Sequence, residues 1–584
     1  MANPRLANAS SPYLRQHADD PVDWHLWGTE AFDLARERGV PIFLSVGFSA
    51  CHWCHVMQRE SFRDPDTAAL LNSRFVPVKV DRELRPDVDA LYMDYVVATT
   101  GHGGWPMSVF LSPELAPVLG GTYFPTKTTG SLPAFLDVLH AIDEAYGAGD
   151  EKMREVISGS LDFLRGQSAP KPACDLDASA LDESAEYLVR LTDPSFGGFG
   201  KEAKFPEASL TLFLCAYYGV NPDAEIPFVV GRSLTSMLRG GVYDQAGGGL
   251  FRYAVDRAWR TPHFEKMLYD QALLLSSLAA ALPLASEETV RDEYAHAARR
   301  TAAFLSSEMT AEGGGYIAAL AADTGGIEGA TYTWTREQLA AVLDGPAYDL
   351  AVSDLGADSE VEPFTLIRAH GRAGDADALD RVLETIKTAR DLRLQPPLDT
   401  KVVTSWNALT ARGLVEAGAA FAEPRMSADG LATLVALLER ALTPEGLVHV
   451  ADDESVAGVR LIEDYAHTVA ACLTAHETTG DGIWLERAAK LHADTLESFC
   501  EGDLLYMTPA TTELPVRPRE QSDQPVPSGA ATAIDNAVRL AVATGDEGYA
   551  EWARAALRNF WAVADAAPEH AGRAMEAAAR LVRL

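Results

Sequence analysis

The first quarter of the chain alternates two hydrophobic patterns. Ile42–Val46 is a short apolar run bounded by Pro41 and Gly47, and Phe75–Val80 (FVPVKV) and Met107–Leu111 (MSVFL) are two more. These runs predict strands, with Gly121–Phe124 as a candidate fourth. Between them, Cys54 to about Asn72, Asp87–Thr99 and Phe135–Tyr146 carry apolar positions at helical spacing. Strands alternating with helices predict an α/β domain with a small central sheet.

Residues 166–177 (GQSAPKPACDLD) hold glycine, two prolines and few large apolar groups, and predict a linker. Beyond them only the helical period persists, over 178–192, 207–219, 226–239, 264–282, 287–309, 335–344, 375–391, 404–422, 427–442, 462–479, 482–499, 528–543 and 547–566. Paired helices in that number predict a closed ring of helical hairpins or a helical solenoid. No sharp repeat supports a regular solenoid. The clusters FGGFG at 196–200, GGG at 247–249 and GGGY at 313–316 suit long loops that converge on one face. The expected domains are 1–168 and 178–584.

Composition narrows the function classes. The chain of 584 residues is 47% hydrophobic and 23% charged, which is ordinary for a globular protein. Its net charge of −35 argues against nucleic-acid backbones and anionic lipid as partners. No export signal and no membrane-spanning run is read, so the expected location is the cytoplasm. Six cysteines in this length do not make a disulfide framework.

Two of those cysteines carry chemistry. In PIFLSVGFSACHWCHVM (41–57), Cys51 and Cys54 follow a strand and open a helix. A thiolate at a helix N-terminus is stabilised by free N–H groups and the helix dipole. Three residues on, Cys54 shares the helical face and can close a disulfide, and His52 and His55 flank the pair. A redox-capable pair is the leading reading. The string CHWCH also matches a c-type haem attachment motif, which normally follows export. Zinc would need further ligands, and no second CxxC is present. An inert buried pair of small thiols is the plainest alternative. No cofactor and no metal site is assigned.

The context is similar to thioredoxin. That resemblance places a cis-proline at Pro106, after Gly103-Gly104-Trp105, where it shapes the substrate groove. Thioredoxin has a buried acid six positions before its first cysteine. Here that position is Ser45, so a redox cycle needs another base, with His55 or water as candidates.

Longer segments carry a family resemblance. SPYLRQHADDPVDWHLW (11–27), FLSVGFSACHWCHVMQRESF (43–62), RFVPVKVDRE (74–83), GGWPMSVFLSP (103–113), GGFGKEAKFP (197–206), TSWNAL (404–409), EDYA (463–466) and PSG (527–529) resemble the thioredoxin-domain family typified by spermatogenesis-associated protein 20. So does GGVYDQAGGGLFRYAVDRAWRTPHFEKMLYDQA (240–272). The resemblance covers nearly the whole chain. It implies an α/β thioredoxin-like N-terminal domain followed by an all-α (α/α)6 toroid, similar to six-hairpin glycosidases and N-acylglucosamine or cellobiose 2-epimerases. The chain departs from many relatives at Ala321-Ala322-Asp323, where an acidic group is missing, at Ala530 after PSG, and in ending RAMEAAARLVRL without a cysteine-containing tail.

The densest polar and aromatic cluster of the second domain spans 243–270. Asp244, Arg252, Tyr253, Trp259, Lys266 and Asp270 are candidate substrate-binding groups. His263, Lys266 and Asp270, at i, i+3 and i+7, are expected on one helical face. Trp406, Asn407, Asp464, Tyr465 and His467 lie in later helices that a toroid would turn toward the same centre. Sugar sites use aromatic faces together with carboxylates or amides. A glycosidase needs two carboxyl groups, and an epimerase needs a base and a proton donor. Asp244 with Asp464 would supply the first pair, His263 with His467 the second. Mutual hydrogen bonding around the centre is the structural alternative. The segment Gln16, His17, Asp23, Trp24 and Trp27 reads as packing.

Three functions follow. The first is an intracellular thiol–disulfide oxidoreductase, with Cys51 attacking, Cys54 resolving, Pro106 shaping the groove and the toroid recognising a carbohydrate or a protein dithiol or disulfide partner. The second is a sugar epimerase or glycosidase-like enzyme with His263 and Asp464 in the chemistry. The third is a non-catalytic binding or scaffold protein.

Overall fold

The computed structural model describes residues 3–584 apart from 131, 149–150, 175–177, 223–224, 358, 360, 369–375 and 452–457. The chain forms two compact units. One holds Met1–Pro170 with Val448–Leu461 and Tyr506–Glu520; the other holds Lys171–Leu447, Ile462–Leu505 and Gln521–Leu584.

The first unit is built on a five-stranded mixed sheet. Its strands are β1 (His25–Leu26), β2 (Ile42–Gly47), β3 (Val76–Asp81), β4 (Met107–Leu111) and β5 (Pro117–Gly121), in the order β1-β3-β2-β4-β5. β2 runs parallel to β3 and antiparallel to β4. Helices cover both faces, so β2 is buried along its whole length. Strand alternation sorts its side chains. Ile42, Leu44 and Val46 join the core with Val76, Val78 and Val80, together with Ala31, Leu91 and Leu164 from three helices. Phe43 points the other way, within 5–7 Å of the rings of Trp24, Phe62, Phe110 and Phe135. Ser45 and its cross-strand partner Lys79 share that aromatic face.

Local chemistry accounts for the departures from expectation. The single helix from Cys54 to Asn72 is two. His52–Met57 continues as a π-helical turn, Gln58–Phe62, and a new helix starts at Pro65. Asp64 caps it by accepting the Thr67 N–H at 2.8 Å, and Pro65 occupies its first turn, where no N–H is needed. The fourth strand lies at Pro117–Gly121, four residues before the expected one. A tight turn closed by Ser112 N–H to Ala116 O lets pairing begin at once. The expected linker at 166–177 begins inside a helix, Glu151–Ser168, and its residues 175–177 lie outside the described residues.

The second unit closes a ring. Ala208–Tyr218, Leu268–Ala281, Thr404–Ala420, Ile462–Thr479, Gly529–Thr544 and Gly572–Val582 each contact the next, and the last contacts the first. Gly572 at that closure faces the Ser209 backbone, with carbonyl carbon 2.6 Å from where a Cβ would stand. Gly413 faces the Ala272 carbonyl in the same way, at 2.4 Å. Six further helices lie outside: Ala178–Leu191, Glu225–Arg239, Glu288–Glu308, Pro424–Ala441, Gly482–Phe499 and Glu547–Ala566. Inner helices such as Leu268–Ala281 are buried nearly all round, whereas outer ones such as Pro424–Ala441 bury one stripe. The architecture is an (α/α)6 toroid. Its last inner helix, Gly572–Val582, holds most of the segment RAMEAAARLVRL, for which no helix was expected.

Candidate functional site

The thiol pair sits where β2 ends and the next helix begins. Cys51 is the N-cap of His52–Met57, and its Sγ accepts the Cys54 N–H at 3.2 Å. The two sulfurs are joined as a disulfide, with Cα atoms 5.3 Å apart. Cys51 is 4% exposed and Cys54 1%. The adjacent Trp53 is 54% exposed, its ring 5.2 Å from that of Tyr123. The peptide Trp105–Pro106 is cis, as the thioredoxin resemblance implies. Its loop is held by Trp105 Nε1, which donates to Asp89 Oδ1 at 2.7 Å, while Arg82 donates to the other oxygen at 3.1 Å and stacks on the Trp105 ring at 3.8 Å.

Gly47 is the hinge of this geometry. A Cβ there would lie 2.7 Å from Cys54 Sγ and 2.3 Å from the Tyr13 hydroxyl, so the missing side chain makes room for both. His55, a candidate base, has Nε2 2.9 Å from the Ser49 carbonyl. That nitrogen is thereby committed as a donor.

A buried polar cluster lies beside the disulfide. Lys79 is 1% exposed and donates to Ser45 Oγ at 3.1 Å. Its ammonium stands 4.4, 4.7 and 5.1 Å from the ring centroids of Phe62, Trp24 and Tyr13. Burial pushes its pKa down to about 7, against the pull of Asp20. Asp20 in turn accepts from Gln58 at 3.0 Å and Trp24 at 3.2 Å, and pairs with His17 Nδ1 at 2.6 Å. Burial, assisted by Lys79, takes His17 down to about 3, so this ring is neutral at physiological pH. The segment read as packing thus also brings titratable groups to the thiols. Lys79 was legible as a charged residue inside FVPVKV, but its cross-strand partner was not.

In the toroid, the sequence-derived constellation is largely self-satisfied. His263, Lys266 and Asp270 do not share a helix. His263 lies in the two-residue strand Pro262–His263, Lys266 in Lys266–Met267, and the helix begins at Leu268. Backbone pairing explains the difference: Arg252 N–H donates to Glu265 O, and Lys266 pairs with Leu320. Asp244 is bridged by Lys266 at 2.7 Å and Arg390 at 2.5 Å, and accepts the Gly247 N–H at 2.9 Å, which pins the glycine loop. Arg252 pairs with Glu265 at 2.6 Å. Tyr253 stacks on Phe205, ring centroids 4.6 Å apart. Trp259 donates to the Phe196 carbonyl at 3.1 Å from a buried position.

His263 Nε2 lies 3.1 Å from Glu265 and Nδ1 lies 2.7 Å from Glu328. Burial opposes its charge, but the two carboxylates prevail and lift the pKa to about 9. It is therefore an imidazolium near neutrality. Its stabilising contribution is full below the unfolded histidine value and is lost as pH rises through about 9. His467 has its Nε2 3.1 Å from the Pro527 carbonyl, and burial drives its pKa to about 3. Asp464 accepts the Ser405 N–H at 3.0 Å, at the start of the neighbouring inner helix. Asn407 clamps the Tyr316 backbone with bonds of 2.8 and 3.0 Å. The Tyr465 hydroxyl accepts the Leu447 N–H at 2.9 Å. Trp406 meets Tyr269 edge-on at 4.8 Å, next to Asp270. Asp270 is buried, its Oδ2 makes no hydrogen bond, and burial holds its pKa well above the carboxylate range although Arg252 opposes this.

Residues 3–165 match the Thioredox_DsbH family model, described as a protein of unknown function, DUF255. An uncharacterized protein of Caenorhabditis elegans is 33% identical over 95% of this chain and 82% of its own length. Human spermatogenesis-associated protein 20 is 32% identical over 94% of this chain and 77% of its own length. The chain belongs to the spermatogenesis-associated protein 20 family. Family membership extends across both units, as the sequence segments implied. Among solved structures, the cellobiose 2-epimerase of Spirochaeta thermophila aligns with a TM-score of 0.44 and 14% identity, covering 68% of this chain and 85% of its own. Among the described residues, no helix is long and apolar enough to cross a membrane.

Proposed function

We propose that this family member is a thiol–disulfide oxidoreductase whose reacting centre is Cys51–Cys54 and whose partner is a dithiol or disulfide. The supporting observation is the disulfide at the strand-to-helix junction, with the Cys54 N–H donating to Cys51 Sγ. In the reduced protein that donor and the helix N-terminus favour the Cys51 thiolate.

In the oxidised protein a substrate thiolate attacks Cys51 Sγ. A substrate–Cys51 disulfide forms, the Cys51–Cys54 bond breaks and its electron pair leaves with Cys54. The second substrate thiol, as thiolate, then displaces Cys51. The substrate ends as a disulfide and the protein as two thiols, so two electrons and the two thiol protons are conserved. The reverse sequence reduces a substrate disulfide. Pro106 and Trp105 flank the approach. The test is catalysed reduction of a disulfide-bonded protein by dithiothreitol: multiple turnovers support the reading, and a rate equal to the uncatalysed one refutes it.

A carbohydrate reading of the toroid rests on Asp270, a buried acid whose Oδ2 makes no hydrogen bond and which follows Tyr269, the ring that meets Trp406. Proton exchange of sugars in heavy water, followed by NMR, tests it. Exchange that Asp270→Asn abolishes supports the reading; no exchange with any sugar overturns it.

A further inference from the structure

Opening the disulfide releases negative charge on a sulfur in a dry place. Cys54 is 1% exposed, and Ser45 stands where thioredoxin's buried acid would be. A leaving thiolate departs faster when its own pKa is low, which requires a hydrogen-bond donor or a positive charge nearby.

Both are present. The Tyr13 hydroxyl is buried and makes no hydrogen bond. It and Cys54 Sγ press on the same small space at Gly47, 2.3 and 2.7 Å from the position a Cβ would take. An unpaired buried hydroxyl costs free energy unless some state of the protein uses it. Behind the tyrosine ring lies the Lys79 ammonium, 5.1 Å from its centroid and held by Ser45 Oγ. Lys79 also forms part of the wall of a 560 Å³ cavity with Leu14, Asp81 and Arg85. The titratable groups facing Lys79 are Asp20, His17 and Tyr13 of the N-terminal segment, with Asp81 further along its own strand.

We propose that Tyr13 and Lys79 stabilise the Cys54 thiolate released when the Cys51–Cys54 disulfide opens, Tyr13 by donating a hydrogen bond to the sulfur and Lys79 by its charge. This rests on the thiol–disulfide reading of the same site. The step is the attack of an external thiolate on Cys51 Sγ: one S–S bond forms, one breaks, and the negative charge passes to Cys54 without a proton moving. In this proposal Tyr13 acts directly on the reacting sulfur, beside which its hydroxyl stands at Gly47. Lys79 acts as a positioning residue through its field.

The test is stopped-flow reduction of the full-length oxidised protein by dithiothreitol, from about pH 5.5 to about pH 9, with rates corrected for the reductant's thiolate fraction. Tyr13→Phe and Lys79→Met are each expected to slow reduction about tenfold near pH 6, the order of one charge-assisted hydrogen bond. Wild-type rates should fall as pH rises through about 7, where Lys79 loses its charge, and the Lys79→Met profile should be flat there. A purely structural role would leave that profile unchanged. Tyr13→Phe removes an oxygen that has no partner in the oxidised protein, so it keeps the test decisive if Lys79→Met fails to fold. Folded variants with wild-type rates and an unaltered pH profile overturn the proposal. Stoichiometric reduction needs no catalytic cycle, so a chain that is reduced normally but never turns over refutes the oxidoreductase reading alone.

Discussion

Cys51→Ser is expected to lower dithiol-driven turnover by about 10³-fold or more, the scale seen when a covalent nucleophile is removed. Serine keeps the N-cap, because its hydroxyl also accepts the N–H that Cys51 Sγ now accepts from Cys54. The fold therefore loses little, and the loss is chemical: an alcohol is not a thiolate at neutral pH, and no S–S bond can form at that position. Cys54→Ser should behave differently. It leaves the attacking sulfur in place and removes the resolving one, so a substrate–Cys51 mixed disulfide should accumulate and be visible by mass on a non-reducing gel. Equal turnover in wild type and Cys51→Ser would place any activity elsewhere in the chain.

Asp535→Ala is expected to cost about 3–5 kcal/mol of stability, the range for breaking a buried ion pair by removing one partner. Asp535 is fully buried on inner helix Gly529–Thr544. It accepts from Arg573 at 2.7 Å and from Arg580 at 2.8 and 2.9 Å, both on the closing inner helix Gly572–Val582. Glu576 holds the same two guanidiniums at 2.5 and 2.6 Å. Removing Asp535 leaves the nearly buried Arg573 with one anionic partner instead of two. Chemical denaturation of the full chain measures the loss. The pH dependence follows with its sign. Burial works to raise the Asp535 pKa, but Arg573 and Arg580 outweigh it and hold the carboxyl well below the usual range. Its stabilisation is present above the unfolded value of about 4 and lost as pH falls below it. Wild type should lose stability more steeply than Asp535→Ala below about pH 4. Matching stability of the two at neutral pH would remove this network from what closes the ring.

Local patterns were informative where local forces decide. Ile42–Gly47 is an apolar run because it is the central strand with both faces covered, and the cysteine spacing marks a helix start because Cys51 is its cap. The inner and outer helices other than Gly572–Val582 were read within a few residues because their apolar spacing reports burial. Glu151–Ser168 carries a helical stripe too, Met153, Ile157, Leu161 and Leu164, which the glycine and prolines after it masked. Gly572–Val582 was obscure for another reason: its inward positions include Arg573 and Glu576, buried by pairing and so indistinguishable from surface charge in one dimension. His263 and Lys266 illustrate the same limit. Their spacing fits a helix, but their partners Tyr253, Leu320 and Glu328 come from other parts of the chain. The thiol site was half legible. Cys51, Cys54 and Pro106 have fixed spacing and context, whereas Tyr13 and Lys79 meet Cys54 and Ser45 only through the folded sheet.

The oxidoreductase reading stands most directly on the reduction potential of Cys51–Cys54 in the full chain, measured by equilibration in dithiothreitol and glutathione buffers and quenched alkylation. The account predicts a single two-electron transition between about −270 and −120 mV, the span of exchange-active pairs. A disulfide that resists reduction below about −300 mV, as structural disulfides do, or a pair of thiols that never oxidises, would contradict it.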